Sequence, residues 1–178
     1  MKKFELSAES KINWFGRTLY RIKACISFTT ITGDEINVGD LGGWVEKEQN
    51  LSQEGKAWIW GNAKIWGNAK IWGNAKIWGN AKICGDAKIC GDAEIWGNAK
   101  IFKAEHVLVI GSIGSRNDFT TFFRNKNNEV TVKCGCFLGG IDKFLKQVEE
   151  VHAQSKYAVV YKMAVEIAKE QIDLSGDE

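Results

Sequence analysis

The sequence predicts a mainly β chain built on a parallel β-helix of triangular section, with an N-terminal β cap before it and a β-hairpin and two α-helices after it. Three observations carry that expectation. A six-residue unit, Gly-Asn-Ala-Lys-Ile-Trp in its commonest form, runs without a gap through eight copies from Gly55 to Phe102, and a strict short period is the signature of a solenoid. The chain contains no proline, so every backbone N–H of the repeat is free to join a ladder between coils. Both flanks lose the period, which divides the chain into a cap over residues 1–50, a β-helix over 51–112 and a C-terminal region over 113–178.

Within each hexad, Ala and Ile lie two apart and share one face of an extended strand, while the Lys between them and the residue after Ile point the other way. Gly followed by Asn or Asp then turns the corner, because both tolerate backbone angles that most residues avoid. Three sides close a triangle of 18 residues, and small Ala beside branched Ile suits its narrow interior. Residues 18 apart should therefore stack at about the 4.8 Å strand spacing. Trp60, Trp78 and Trp96 form one outward column, Trp66, Cys84 and Phe102 a second, and Trp72 and Cys90 a third. Leu51 is the first inward residue, and Asp86 stacks on Asn68 and Asp92 on Asn74, so no two carboxylates coincide.

The lysines are less comfortable. Lys64, Lys82 and Lys100 stack on one side and Lys70, Lys88 and His106 on another, whereas Lys76 meets Glu94 on the third. Like charges directly opposite on neighbouring strands are unfavourable, so two faces carry basic rows that a bound anion would relieve. The same rows read equally as solvated faces, since exposed lysines splay and are screened over about 8 Å at physiological salt. The outward aromatic columns call for a cover, from the C-terminal helices, a second copy of the chain or another partner.

The formal net charge of +2 hides an uneven distribution: −1 over residues 1–54, +5 over 55–103 with eight Lys against three acids, +1 over 104–140 and −3 over 141–178. The basic surplus lies on the repeat. Five cysteines form an odd set, no charged-then-apolar leader opens the sequence, and no apolar run approaches the roughly 18 to 20 residues that span a bilayer. These features predict a reduced, cytosolic protein with no membrane partner.

In the flanks, alternating residues on either side of Asn13-Trp14-Phe15-Gly16-Arg17 predict a hairpin ending in the strand Thr18–Ala24, followed by a strand near Cys25–Thr32. Val107 keeps the Ile register and suggests one more partial coil. Phe119–Arg124 and Val130–Cys134 predict a hairpin across Asn125–Asn128, and two stripes at helical spacing (Ile141, Phe144, Leu145, Val148, His152, then Tyr157, Tyr161, Ala164, Val165, Ala168) predict two helices parted near Gln154-Ser155.

Candidate chemistry is sparse. Cys84 and Cys90 point from different sides of the triangle, and Cys134-Gly135-Cys136 lacks two further ligands for zinc, so no metal, cofactor or catalytic residue is expected. His106 is the one solenoid residue suited to general base work. Gly111-Ser112-Ile113-Gly114-Ser115-Arg116-Asn117-Asp118 offers backbone N–H groups, hydroxyls and a guanidinium to a small anion, and reads also as a plain turn. The residues expected to hold RNA or another partner are Lys64, Lys70, Lys82, Lys88 and Lys100 for charge, Trp66, Trp72 and Phe102 for stacking, and Arg116.

The hexad resembles the hexapeptide-repeat solenoids, which implies a left-handed coil. Acyltransferases of that kind use a His base and a related carbonic anhydrase family uses three His ligands; this chain has only His106 and His152. Phe15-Gly16-Arg17-Thr18-Leu19-Tyr20-Arg21-Ile22-Lys23-Ala24, Gly39-Asp40-Leu41-Gly42-Gly43-Trp44-Val45-Glu46, Asn50-Leu51-Ser52-Gln53-Glu54-Gly55, the hexads, Ile113-Gly114-Ser115-Arg116-Asn117 and Gly135-Cys136-Phe137 together resemble a family of phage and prophage β-helix proteins, across nearly the whole chain. The near-identical Lys/Ile/Trp hexads are also similar to phage-encoded inhibitors of type VI-A CRISPR systems. That resemblance implies a non-enzymatic viral protein acting in the bacterial host cytosol against an RNA-guided RNase, its partners being the CRISPR effector nuclease or its guide RNA. Three other readings stay open: a sponge for small signalling nucleotides at Gly111–Asp118, a structural homo-oligomer through the Trp columns, and an acyltransferase using His106.

Overall fold

The computed structural model describes residues 1–176, which fall into two compact units, residues 1–104 and 105–176. The first is the solenoid with its cap. Its N-terminal hairpin pairs β1 (Phe4–Ile12) with β2 (Thr18–Ala24) antiparallel. Asn13 makes the turn, its Oδ1 accepting from the backbone N–H groups of Phe15 at 2.9 Å and Arg17 at 3.0 Å. A short hairpin follows, β3 (Phe28–Thr29) with β4 (Glu35–Ile36), then β5 (Leu41–Val45), which pairs antiparallel with β2.

Each hexad contributes a two-residue strand: β6 (Trp58–Ile59), β7 (Lys64–Ile65), β8 (Lys70–Ile71), β9 (Lys76–Ile77), β10 (Lys82–Ile83), β11 (Lys88–Ile89), β12 (Glu94–Ile95) and β13 (Lys100–Ile101). The pairing is parallel and in the expected register, Lys64 on Lys82 on Lys100, Lys70 on Lys88 and Lys76 on Glu94. Three faces result: β5-β7-β10-β13, β8-β11, and β6-β9-β12. Every hexad Ile and Ala from Ala57 to Ile101 is buried. Removing one such Ile from water contributes about 1.5–3 kcal/mol, so the inward column is the main cohesive term. All eight hexad glycines sit at positive φ, from 60° to 78°, the corner conformation that the Gly-Asn step anticipates.

The first coil begins earlier than the hexads. Val45 pairs with Ile65 and Leu51 bridges to Ile71, both 20 residues away, while Ile59 pairs with Ile77 at 18. The two extra residues fall between Leu51 and Ile59, eight apart where their partners Ile71 and Ile77 are six; just before them, in the 3-10 turn Glu48–Asn50, buried Asn50 ties the coil down by donating to the carbonyls of Gly67 at 3.2 Å and Ala69 at 2.9 Å. The hairpin β1-β2 extends the first face as a continuous sheet, β1-β2-β5-β7-β10-β13, which is how the cap closes the open end of the stack. Lys3 completes it: buried, it donates to the carbonyls of Glu54, Gly55 and Ala57 at 3.3, 3.4 and 3.0 Å.

The second unit is an antiparallel sheet of β14 (Val107–Ile113), β15 (Asp118–Arg124), β16 (Val130–Cys134) and β17 (Phe137–Gly140), covered by α1 (Ile141–His152) and α2 (Lys156–Gln171). Phe122, Val130 and Val132 from the sheet pack with Phe144, Val148, Tyr161, Ala164, Val165 and Ala168 from the helices. The predicted hairpin and helices are present, but the hairpin is the centre of four strands. Val107 does not extend the solenoid; it opens β14 and pairs with Phe123. Among the described residues, no helix is long and apolar enough to cross a membrane.

Candidate nucleic-acid interface on two solenoid faces

The three faces treat their stacked lysines differently. On the third face, Lys76 is only 4 % exposed and sits in a built anionic site: its Nζ lies 2.8 Å from Glu94 and 3.6 Å from Asp34, and donates to Thr32 Oγ1 at 2.6 Å. Asp34 and Thr32 come from the turn of the β3-β4 hairpin, which lies over this face with Phe28 edge-on to Trp58 at 5.7 Å. Hydrogen bonds from Thr32, then Thr30, and the Lys76 charge hold the Asp34 carboxyl below its usual range.

The first face is arranged differently. Arg21, Trp44, Lys64, Lys82 and Lys100 follow one another across neighbouring strands. Neither Lys64 nor Lys82 forms an ion pair among the described residues. Lys11 joins the row with its Nζ 3.6 Å from the Trp44 ring centroid. Burial first, then the charges of Lys64 and Arg21, push the Lys11 ammonium down to about 8, so cations crowd one another here. Carboxylates moderate the edge, Glu9 at 3.4 Å from Arg21, Glu5 at 3.6 Å from Lys23 and Glu46 at 2.7 Å from Arg17.

The second face presents Lys70 and Lys88, both exposed. With Lys47, Gln49, Asn68 and Asp86 they line a shallow cleft of about 310 Å³. Asn68 Nδ2 donates to Asp86 Oδ1 at 3.1 Å, the expected corner ladder, which spends part of that carboxylate. Lys70 and Lys88 have no ion-pair partner among the described residues.

The aromatic expectations divide. Trp60, Trp78 and Trp96 do form one file, with ring centroids 4.2 and 5.4 Å apart and planes within 7° and 20°; they cover one another. Trp66, expected as a stacking platform, is 6 % exposed, packed with Leu19 and Trp44 under the cap, and so offers no face to a base. Phe102 and Cys84 border the same cluster. Trp72, on the second face, is 36 % exposed and available. What the sequence does not announce is the hairpin tip: Trp14 is 93 % and Phe15 70 % exposed, and the Phe15 ring stands 6.0 Å from Trp66. A signal existed, since a hairpin next to the first coil would prolong its sheet and carry Lys11, Arg21 and the tip aromatics onto the lysine face.

One further expectation is corrected, and one site residue stands apart from the rest. His106 does not continue the Lys70/Lys88 row; it is fully buried in a 3-10 turn, Ala104–His106, with its Nε2 3.1 Å from Arg124 Nη1. Arg124 only donates, so that nitrogen is an acceptor held inside the second unit, away from any substrate. Arg116 lies in the second unit at the turn after β14 and borders a different cleft. All five cysteines are free thiols, and no group of three metal-ligating side chains occurs among the described residues.

No family model matches this chain, and no curated protein matches it.

Proposed function

We propose that this is a non-enzymatic binding protein whose first and second solenoid faces engage single-stranded RNA. One contrast carries the reading. Where the fold buries a stacked lysine, at Lys76, it supplies Glu94, Asp34 and Thr32; where lysines stack on lysines, at Lys64/Lys82 and Lys70/Lys88, none of the four forms an ion pair among the described residues. A phosphate backbone is the external anion that suits such rows, because each neutralised phosphate releases condensed counterions. Exposed Trp72, Trp14 and Phe15 add π-faces on which unpaired bases stack, worth about 1–3 kcal/mol per base and indifferent to sequence. The resemblance to phage inhibitors of type VI-A CRISPR systems makes the guide RNA of an RNA-guided RNase the most specific ligand of this class.

The test is a pull-down from a host lysate with and without RNase, paired with direct titration of labelled single-stranded RNA. Lys64→Glu/Lys82→Glu and Lys70→Glu/Lys88→Glu should each weaken RNA binding at least tenfold and by the same factor for unrelated sequences. Equal affinity in parent and variants would remove these faces from the interface.

A further inference from the structure

The second unit holds a cleft of about 180 Å³ that the RNA reading does not use, walled by the 113–118 turn, the Cys134-Gly135-Cys136 turn and both helices. Its floor is apolar and buried, made by Phe144, Val148 and Tyr161, and its rim is polar and exposed, with Ser115, Arg116 and Asp118. Two glycines shape it. Gly114, at φ 74°, leaves the space in which the Tyr161 hydroxyl sits, since a Cβ there would fall on that oxygen. Gly135, at φ 54°, supplies the left-handed backbone of the second turn, beside Arg116.

At the bottom, Tyr161 is 7 % exposed and part of a directed chain. Thr120 Oγ1 donates to Cys134 Sγ at 3.3 Å, and the Cys134 thiol donates to the Tyr161 oxygen at 3.8 Å. The phenol oxygen lies at the floor of the cleft, where its hydrogen can be given to an acceptor on a bound molecule. Burial, then Cys134, push the phenol up to about 12, so it keeps that hydrogen through the physiological range.

We propose that this cleft binds a mononucleotide. The base lies on Phe144 and Val148 with a ring acceptor toward the Tyr161 hydroxyl, the ribose hydroxyls face Asp118 and the phosphate meets Arg116. The order of surfaces from floor to rim is what distinguishes this class: a flat apolar slot with one donor, then a carboxylate that accepts from hydroxyls, then a guanidinium matched to phosphate oxygens.

Calorimetry of the full chain with AMP, GMP, CMP and UMP, each beside its nucleoside, tests this. At least one monophosphate should bind saturably at one per chain. Arg116→Gln should cut its affinity about tenfold while sparing the nucleoside, and Tyr161→Phe should weaken both. Gln147→Trp, at an exposed position on the cleft wall, should abolish binding, whereas Lys70→Glu/Lys88→Glu should leave it unchanged. The proposal is overturned if no monophosphate saturates at millimolar concentration, if Gln147→Trp binds as the parent does, or if the lysine variant loses binding, which would put the ligand on the solenoid.

Discussion

Two buried lysines show how position, not residue type, decides what a charge does. Lys76 is matched by side chains, and its pairing with Glu94 was readable from the 18-residue spacing alone. Lys3 is matched by backbone carbonyls some fifty residues along the chain, which no spacing rule reveals. Burial pushes the Lys3 ammonium down to about 8 from an ordinary 10.5. Between those values the unfolded chain holds more protons than the folded one, so this group's contribution to stability rises with pH across the window and is flat below it. Urea denaturation of the parent and Lys3→Met at pH 7, 9 and 10.5 should therefore show the difference shifting in favour of the parent as pH rises. A difference that does not move would mean that Lys3 keeps its full hydration. Trp66 and Trp72 teach the same lesson: identical hexad positions, one covered by Leu19 and Trp44 and one exposed.

At the scale of elements, the hexads were legible because one residue pattern sets strand, corner and register together. Their edges were not. The first coil uses 20-residue steps at Val45 and Leu51, and its strand depends on Gly42 and Gly43 for close approach rather than for an unusual backbone angle. A Cβ on Gly42 would lie 2.5 Å from Ile22 and 2.6 Å from the Ile59 carbonyl, so Gly42→Ala should separate cap from coil. β14 escaped because Val107 happens to keep the Ile phase, and β17 because four residues ending in Gly-Gly carry little strand signal. The inward column makes a sharper prediction. Ile77→Ala, in the middle coil, should cost about 2–5 kcal/mol in chemical denaturation, while Lys70→Ala on the second face should change stability by less than about 0.5 kcal/mol. Comparable losses at the two positions would contradict the inward and outward assignment.

Over the whole molecule, charge is divided in a way that local structure explains only in part. The +5 surplus of residues 55–103 resides on lysines that the repeat copies, and on the third face Glu94 and the β3-β4 hairpin neutralise Lys76. Which faces remain basic was visible in the sequence; the contribution of Lys11, Arg21 and the Trp14/Phe15 tip was not, because it depends on the hairpin joining the sheet of the first face. A surface of this kind should bind RNA with a strong dependence on ionic strength and little on sequence. The most direct measurement is therefore the slope of log affinity against log salt for a labelled single strand, in the parent and in Lys64→Glu/Lys82→Glu/Lys70→Glu/Lys88→Glu. The parent should give a steep negative slope of several units that becomes shallower in the variant, by roughly 0.7 for each phosphate that the variant no longer neutralises. A slope near zero in the parent, or one that the four substitutions leave unaltered, would contradict the assignment of these two faces to a phosphate backbone.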